Sequence, residues 1–271
     1  MTHRPKTIRE TNSQGAHPQA KTPKRIKPGK ARLDLLVVER GLAPSRERAQ
    51  ALLLAGQVRV NGVRADKPGT QVAADARIEI FGETLRYASR GGLKLEGALE
   101  DFRVSVRNRV CLDVGSSTGG FTDCLLQNGA RRVYAVDVTI GQLDWKLQQD
   151  VRVSTLERNA RYLRPEDIGE PVDMVVADVS FISLTRLFSA IVACAAKDAD
   201  LLALIKPQFE LERRDIGKGG IVRDPALHQK AIERVSAAAV EAGLEIIGVR
   251  ASRLPGAEGN QEFFLHARRR E

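Results

Sequence analysis

The chain has few cysteines, few aromatic residues and no long apolar run. Its 271 residues include three cysteines, Cys111, Cys124 and Cys194, and none of them belongs to a C-x-x-C pair or has a histidine nearby. Such a pattern predicts neither disulfides nor a metal site and is typical of a reducing compartment. No apolar stretch approaches the roughly 18 residues that a membrane-spanning helix needs. We therefore expect a cytoplasmic protein without a membrane span or a metal.

Positive charge is concentrated at the N-terminus. The chain carries a formal net charge of +9, and residues 1–32 alone contribute +8, with nine Lys or Arg and one acid, Glu10. This segment has almost no aliphatic side chains, so it cannot bury enough surface to fold. We predict a disordered basic tail over residues 1–30, which either attracts a polyanion such as RNA or serves as a solubilising extension.

A small α+β unit is predicted after the tail. Residues 32–81 have the pattern of two short helices, the alternating run "VRVNGVRA" and a further strand. Asn61-Gly62 at the centre of the alternating run is typical of a two-residue β-hairpin. Gly41 is placed to end the first helix, and Ser45 is placed to cap the second. About 50 residues form only a small core, so we expect a module attached to a larger domain.

The rest of the chain alternates apolar strands with helical stretches, after a predicted hinge at residues 87–90 and a turn at Gly91-Gly92. The strands are predicted in "RVCLDVG", "RVYAVDV", "VDMVVADVS", "DADLLALIKP", "LEIIGVRASRL" and "QEFFLHARR", and residues 139–171 are interpreted as a connection. This alternation predicts a doubly wound, parallel α/β sheet. Ligands of such sheets bind at the carboxyl ends of the strands, so the residues that follow each strand are candidates for a site.

A glycine-rich turn, "DVGSSTGG", follows the first of these strands. It lacks the second glycine of the dinucleotide motif G-x-G-x-x-G, and Asp113 would repel a pyrophosphate. The pattern D-x-G-x-x-x-G, with Asp137 closing the next strand at a position suited to a ribose diol, is similar to a site for S-adenosylmethionine (SAM). An ordinary tight turn and a dinucleotide site remain alternatives. The candidate SAM-binding residues are Asp113, Gly115, Ser116, Ser117, Thr118, Gly119, Gly120, Phe121, Asp137 and Asp178.

Four charged residues at strand ends indicate what is methylated. Lys94 precedes the first strand, Asp178 and Lys206 each follow a later strand, and Glu262 opens the last. The chain lacks the Asn/Asp-Pro-Pro-aromatic motif of amino methyltransferases and the Pro-Cys nucleophile of C5-cytosine enzymes. A ribose 2′-hydroxyl is a weak nucleophile that needs a base, for which Lys206 is the candidate, while the carboxylates position both lysines. Surface ion pairs are the alternative interpretation.

The small unit resembles a known RNA-binding module. The Ser-Arg that opens its second helix, the run "GQVRVNG" and the later Lys-Pro match the module of ribosomal protein S-four, which pseudouridine synthases and bacterial tyrosyl-tRNA synthetases share. The resemblance covers residues 32–81 and implies that this module faces RNA phosphates. With Arg90 of the predicted hinge, the candidate RNA-binding residues are Arg32, Ser45, Arg46, Arg48, Lys67 and Arg90.

Five ordered motifs extend the resemblance to almost the whole chain. "SRGGLKL", "LDVGSSTGGFTD", "VDMVVADVSFISL", "LIKPQFE" and "GNQEFFL" together resemble the TlyA family, in which an S-four-type module precedes an FtsJ-like (RrmJ-like) methyltransferase. The resemblance covers residues 31–268. It implies a Rossmann-like domain that uses SAM to methylate a 2′-hydroxyl, of cytidine, in the rRNA of ribosomal subunits. The catalytic Lys-Asp-Lys-Glu set of the family falls on Lys94, Asp178, Lys206 and Glu262.

These inferences divide the chain into four parts: the tail at 1–30, the RNA-binding module at 31–86, the hinge at 87–90 and the methyltransferase domain at 91–271. Two other functions stay open. One is a protein that binds RNA and SAM without turnover. The other is a membrane-active haemolysin, a name that the resembled family also carries, although the prolines of the basic tail disfavour a helix on a membrane surface there.

Overall fold

The computed structural model describes residues 29–43, 45–54, 56–81, 86–256 and 259–270. The chain divides into two compact units, Met1–Gly82 and Glu83–Glu271. The predicted basic tail lies outside the described residues, apart from its last two positions. In the described ranges, no helix combines the length and the apolarity needed to cross a membrane.

The described residues of the first unit form two helices and five short strands. In chain order the elements are β1 (Lys30–Arg32), α1 (Leu33–Glu39), α2 (Arg46–Leu54), β2 (Val58–Val60), β3 (Val63–Ala65), β4 (Gln71–Ala73) and β5 (Ile78–Ile80). β1 pairs with β4, and β2 lies between β3 and β5, with all of these pairs antiparallel. The apolar faces of the two helices enclose a small core with the buried side of β2 and β5.

The turns of the first unit form where the sequence predicts them. Asn61 and Gly62 connect β2 to β3 with φ of 51° and 82°, as the two positive values of a type I′ hairpin turn require. Ser45 Oγ accepts a hydrogen bond from the backbone N–H of Arg48 at 3.2 Å, so Ser45 caps α2. The chain also turns left-handed at Gly41, directly after α1. The predicted hairpin, cap and helix end are therefore confirmed.

The second unit is an α/β fold with strands and helices in alternation. Its elements are α3 (Arg90–Phe102), β6 (Val110–Val114), α4 (Gly120–Gln127), β7 (Arg132–Asp137), α5 (Trp145–Gln148), β8 (Val153–Glu157), α6 (Pro165–Ile168), β9 (Val172–Ala177), α7 (Phe188–Cys194), β10 (Ala195–Ile205), α8 (Pro207–Glu210), α9 (Pro225–Glu241), β11 (Leu244–Ala251) and β12 (Phe263–Arg269). The predicted α/β class is thereby confirmed.

The seven strands form one sheet in the order β11-β12-β10-β9-β6-β7-β8. The prediction of an all-parallel sheet is wrong for the last strand, because β12 pairs antiparallel with both β10 and β11. The reason is the connection from β11 to β12, residues 252–262, in which no described residue is helical. A return to a parallel strand needs a crossover of a dozen or more residues, usually with a helix, so the chain turns back instead.

The edge strand β8 lies within the segment that was assigned as a connection. It pairs in parallel with β7 only, and each of its residues is half-buried or exposed. Its sequence "VSTLE" therefore lacks the apolar run that marks the central strands. The central strand β6, by contrast, is buried at all five positions, because two apolar clusters cover the opposite faces of the sheet.

The predicted hinge at residues 87–90 packs onto the second unit. The Tyr87 side chain is 2% exposed and belongs to the apolar cluster beneath α3 and α4. Its hydroxyl donates a hydrogen bond to Glu96 Oε1 at 3.0 Å. The backbone N–H of Ala88 donates to Asp123 Oδ2 at 2.8 Å. These contacts fix residues 87–88 to α3 and α4 and place them within the second unit.

The prediction of a turn at Gly91-Gly92 is wrong, because both residues lie in the first turn of α3. Their small size serves close packing. A Cβ built on Gly92 would lie 2.4 Å from Tyr87 Cγ, and one built on Gly120 would lie 2.2 Å from Ser89 Oγ and 3.0 Å from the backbone N of Gly92. Glycine thus lets the amino end of α3 lie directly against the amino end of α4.

We predict that Gly92→Ala destabilises the second unit. Alanine normally favours a helix over glycine by about 0.5–1 kcal/mol, but here its methyl group would overlap the buried Tyr87 ring. Overpacking of this kind costs about 1–3 kcal/mol, so we expect a lower urea midpoint. Gly141→Ala is the matched control, since a Cβ there meets no atom within 4 Å. Equal midpoints for the Gly92 variant and the wild type would refute the packing argument.

Candidate active site

A cleft lies at the carboxyl ends of the central strands in the second unit. It opens where the strand order reverses, between β6 and β9, which is where ligands of doubly wound sheets bind. The cleft has two chambers of about 230 and 590 Å³. Both chambers are lined by Gly115, Ser117, Asp178 and Ser180, so these residues form the wall that the chambers share.

Two ion pairs lie at the smaller chamber. Lys206 Nζ is 2.6 Å from Asp178 Oδ1, and Lys94 Nζ is 2.6 Å from Glu262 Oε2. Lys206 Nζ also donates a hydrogen bond to Ser180 Oγ at 3.0 Å. The fold thus assembles all four charged residues that the sequence predicted for catalysis, from α3, the ends of β9 and β10, and the start of β12.

The four charged side chains differ in their access to the chamber. Lys94, Asp178 and Lys206 line it, whereas the Glu262 side chain, which is 3% exposed, is not among the lining residues. Both lysine side chains are 12% exposed. Charges this far from solvent interact more strongly than surface charges do, and each ammonium has its own carboxylate. No group of His, Cys, Asp and Glu among the described residues is arranged to bind a metal.

The glycine-rich turn forms the wall between the chambers. Gly115 has φ of +85°, and a Cβ there would lie 2.5 Å from the Asp178 carbonyl oxygen. Glycine is therefore required for the turn to lie against the end of β9. Ser116 Oγ is buried and has no partner among the described residues. Gly119 does not line either chamber, and a Cβ there would overlap the side chains of Leu143 and Leu147.

Asp137 lies at the larger chamber, at the end of β7. Its Oδ2 accepts a hydrogen bond from the Ser117 N–H at 2.9 Å, and its Oδ1 accepts one from the Thr139 N–H at 3.1 Å. These two bonds fix the carboxylate, and each oxygen keeps a second lone pair for a ligand. The carboxylate is thus positioned to accept hydrogen bonds from a pair of vicinal hydroxyls in the chamber.

Two of the predicted cofactor residues lie mainly in the core. Asp113 is fully buried and lines neither chamber. Its Oδ2 accepts a hydrogen bond from Thr122 Oγ1 at 2.6 Å, and burial raises the pKa of Asp113 to about 7. Phe121 is 3% exposed and stacks on Phe264 at 6.1 Å, although one edge of it reaches the smaller chamber. Thr118 and Gly120 also line the smaller chamber.

Sequence reasoning missed an aromatic residue at the mouth of the cleft. Phe181 lines the larger chamber, is 92% exposed and adopts a left-handed φ of +65°. Its ring lies 5.2 Å from the ring of Phe209, and Phe209 in turn lies 5.9 Å from Lys206 Nζ. In the sequence, "VSFISL" has the composition of a strand that continues into the core. The exposure of the Phe181 ring is therefore evident only from the structure.

The first unit presents a set of arginines held by one buried acid. Asp34 is fully buried. Its Oδ1 accepts a hydrogen bond from Arg32 Nε at 3.0 Å, and its Oδ2 accepts bonds from Arg32 Nη2 at 2.9 Å, Arg46 Nε at 3.0 Å and Gln50 Nε2 at 3.1 Å. The arginine side chains are 39% and 48% exposed. Two of the predicted RNA-binding residues are thus fixed with part of each guanidinium free for a ligand.

The other predicted RNA-binding residues are divided between the two units. Lys67 is exposed in the first unit, while Arg48 and Ser45 are half-buried and Ser45 caps α2. The loop that contains Lys67 is tied to the start of α1 by backbone bonds. Arg90 is exposed at the start of α3 in the second unit, where it lines the smaller chamber of the cleft.

Comparison with known proteins gives the same two-part organisation. Residues 87–269 match the family model of FtsJ-like methyltransferases, and residues 31–78 match that of the S4 domain. A Mycobacterium tuberculosis protein named 16S/23S rRNA (cytidine-2′-O)-methyltransferase TlyA is 50% identical over 241 residues, which cover 88% of this chain and 90% of that protein.

Solved structures are similar as well. A protein of Streptococcus thermophilus described as a hemolysin has a TM-score of 0.70 at 44% identity, with 90% of both chains covered. A SAM-dependent methyltransferase of Mesorhizobium loti has a TM-score of 0.51 at 14% identity, over 67% of this chain and 100% of that chain. At so low an identity the second likeness shows a shared fold alone.

We predict that Asp34→Asn lowers the free energy of unfolding of the first unit by roughly 2 kcal/mol at pH 7, because charge-assisted bonds to two arginines are lost. Hydrogen bonds from Arg32 hold the pKa of Asp34 well below its usual range. The stabilisation is therefore present above the unfolded-state pKa of about 4 and is lost as the pH falls below it.

The measurement is urea unfolding of the full chain between pH 7 and pH 3, followed through NMR signals from the core of the first unit. Glu79→Gln is the control, since it loses only an exposed ion pair with Arg77 and should cost less than about 1 kcal/mol. A stability difference between wild type and Asp34→Asn that stays constant down to pH 3 would show that the carboxylate charge is not its source.

Proposed function

The chain belongs to the TlyA family of FtsJ-like methyltransferases, and we propose that it transfers a methyl group from SAM to a ribose 2′-hydroxyl, of cytidine, in the rRNA of ribosomal subunits. The observation that carries this proposal is the pair of ion pairs, Lys94–Glu262 and Lys206–Asp178, beside the cleft at the switch point of the sheet. The named activity of the relative from Mycobacterium tuberculosis supports both the substrate and the acceptor atom.

The residues of the cleft fit SAM. Gly115 lets the turn lie against the end of β9 at the wall of both chambers, and the buried hydroxyl of Ser116 has no partner among the described residues. Asp137 would hold the ribose diol in the larger chamber, and the turn residues, with Asp178, would hold the amino acid end. When bound there, SAM supplies an electrophilic methyl group on a positively charged sulfur.

Asp113 contributes from behind the turn. Its buried carboxylate is bonded to Thr122 in the first turns of α4, and it lies on β6 directly before the turn. It would therefore fix the turn and the start of α4 relative to the strand, and act on the cofactor through the backbone. The turn contains no lysine, which distinguishes it from the P-loop of nucleotide enzymes, and it lacks the second glycine of the dinucleotide motif.

The charged set would position the acceptor hydroxyl and take up its proton. Asp178 and Ser180 hold the Lys206 amine at the chamber wall. In its neutral form this amine would accept the proton of the 2′-hydroxyl as the oxygen takes up the methyl group and the methyl–sulfur bond breaks. Glu262 holds the side chain of Lys94, which lies in α3. The Lys94 ammonium would donate a hydrogen bond to the same oxygen. Orientation of this kind supplies a large part of the rate enhancement in a displacement.

RNA would be bound through phosphates by the first unit and by Arg90. The arginines bonded to Asp34 are partly ordered before binding, so less side-chain freedom is lost when they contact phosphates. Phosphate contacts give affinity and orientation, not sequence. The selection of one nucleotide is therefore expected at the cleft. An enzyme that acts on ribosomal subunits works where ribosomes are, and this supports the cytoplasm as its location.

We predict that Lys206→Ala abolishes methyl transfer, with a loss of roughly 10²–10⁴-fold in kcat, the usual contribution of a positioned base. The assay measures transfer of radiolabel from SAM to ribosomal subunits taken from a strain that lacks this gene, with the label mapped to a ribose 2′-oxygen. Binding of SAM, followed by thermal stabilisation, should be retained in the variant.

Lys230→Ala is the matched control, because Lys230 forms a surface ion pair with Asp215 outside the cleft. Two outcomes contradict the proposal. Equal label with the Lys206 variant would remove Lys206 from catalysis. No label from the wild type on any subunit, with SAM bound, would favour the alternative of a protein that binds RNA and SAM without turnover.

We predict that Phe181→Ala lowers kcat/KM for ribosomal subunits by about 5- to 150-fold, because its exposed ring is placed to stack on the base of the target nucleotide. Stacking of a base on an aromatic side chain contributes about 1–3 kcal/mol. Phe181→Tyr should retain most of the activity, and neither variant should change stability, since the ring is 92% exposed. Val151→Ala, at another exposed apolar side chain (95%), is the control. Unchanged kinetics in Phe181→Ala would exclude stacking.

A further inference from the structure

A second cavity lies in the methyltransferase domain, away from the cleft. Its volume is about 450 Å³, and its walls are the carboxyl end of α3 and the middle of β11, with His266 of β12. A β-bulge at Ile247 interrupts the pairing of β11 with β12 at this place. On β12, His266 lies four residues beyond the catalytic candidate Glu262, which corresponds to about 13 Å along an extended chain.

His266 lines this cavity, and one of its ring nitrogens is unpaired. The residue is 3% exposed, and its Nε2 lies 2.9 Å from Asp200 Oδ1. Asp200 also accepts hydrogen bonds from Arg109 Nη1 at 2.7 Å and Arg268 Nη2 at 3.1 Å. Burial alone would raise the pKa of Asp200, but these three donors hold it well below its usual range. The Asp200 carboxylate is therefore ionised and can only accept hydrogen bonds. The proton between Asp200 Oδ1 and His266 Nε2 thus lies on the nitrogen.

Nδ1 of His266 is then the free nitrogen, and it has no hydrogen-bond partner among the described residues. In the neutral ring, Nδ1 carries a lone pair and can only accept. A buried acceptor without a partner costs about 1–3 kcal/mol, and a ligand that donates a hydrogen bond would recover this. At the inner end of the cavity, a ligand with a hydroxyl or amino group would therefore be favoured.

The rim of the cavity calls for an anion. Arg103 and Arg250 are both exposed, and neither forms an ion pair in the described part of the chain. Arg250 lies over the ring of Phe102 at 5.6 Å. The nearby Asp101 carboxylate is already paired with Arg253 at 2.6 Å. Two free guanidinium groups beside one neutralised acid leave the rim positive.

We propose that this cavity binds one ribonucleotide unit of the RNA substrate, remote from the nucleotide that is methylated. A 2′-hydroxyl would donate to His266 Nδ1, and the neighbouring phosphate would lie on Arg103 and Arg250. Within a nucleic acid chain, only the 2′-hydroxyl combines a sugar donor with an adjacent phosphate, and DNA lacks it. The inference rests on the proposed function for the identity of the RNA as rRNA, but its chemistry is that of RNA in general.

The test uses the full chain with Lys206→Ala, so that binding is read without turnover. Histidine side-chain ¹⁵N signals are recorded during titration with a ten-nucleotide single-stranded RNA, its DNA counterpart, and inorganic phosphate; the His266 signal is assigned by its loss in His266→Asn. We expect the RNA to shift the Nδ1 signal of His266, and the DNA and the phosphate to leave it unchanged.

Exposed variants test the rim without disturbing the core. Arg103→Ala combined with Arg250→Ala should raise at least tenfold the RNA concentration that gives a half-maximal shift of the His266 signal. The same pair in an otherwise wild-type chain should raise KM for ribosomal subunits with kcat unchanged. Arg107→Ala removes an exposed arginine that does not line the cavity, and should alter neither value.

Three outcomes overturn the proposal: no shift of the His266 signal at RNA concentrations that saturate the protein, an equal shift with DNA, or an equal shift with inorganic phosphate. The last would indicate a simple anion site. These results are independent of catalysis. If wild-type protein transferred no methyl group while RNA still shifted the His266 signal, the proposed function would fail and the binding site would stand.

Discussion

Two ammonium groups lie in one small chamber of the second unit, and the arrangement is stable because each has its own carboxylate. A buried charge without a partner costs several kcal/mol, so Lys94 and Lys206 can line the same chamber only with Glu262 and Asp178 in place. The carboxylates in turn depend on the fold. Asp178 is set by its backbone bond to Val114 of the neighbouring strand, and Glu262 is set by the reversal of the chain before β12.

The two units use one physical device for different purposes. In each unit a single buried carboxylate collects several hydrogen-bond donors: Asp34 with two arginines, and Asp200 with two arginines and a histidine. The acid is stabilised by charge-assisted bonds, and its partners lose the freedom of long side chains. In the first unit the ordered groups are the exposed arginines of the predicted RNA-binding face. In the second unit the ordered group is the buried imidazole that lines the second cavity.

Sequence reasoning reached the central strands, the hairpin of the first unit and the four charged residues of the cleft, because these have strong local signals. A fully apolar run marks a strand buried on both faces. Asn-Gly marks the hairpin turn, because both residues readily adopt the positive φ that the turn requires. What it missed depends on tertiary context. β8 is a half-exposed edge strand, and the antiparallel direction of β12 follows from the length of a connection. The exposure of Phe181 depends on the path of the chain after β9. The burial of Asp113 depends on the residues that pack over β6.

The position of β12 in the sheet has a consequence for sequence change. This strand connects the two sites: Glu262, the carboxylate partner of Lys94, lies directly before it, and His266 on the strand lines the second cavity. Side chains alternate between the faces of a strand, so a shift of one residue moves every side chain to the other face. Insertion or deletion of a single residue after Glu262 would separate Lys94 from its carboxylate or turn His266 away from Asp200. The length of β12 is therefore constrained by both sites.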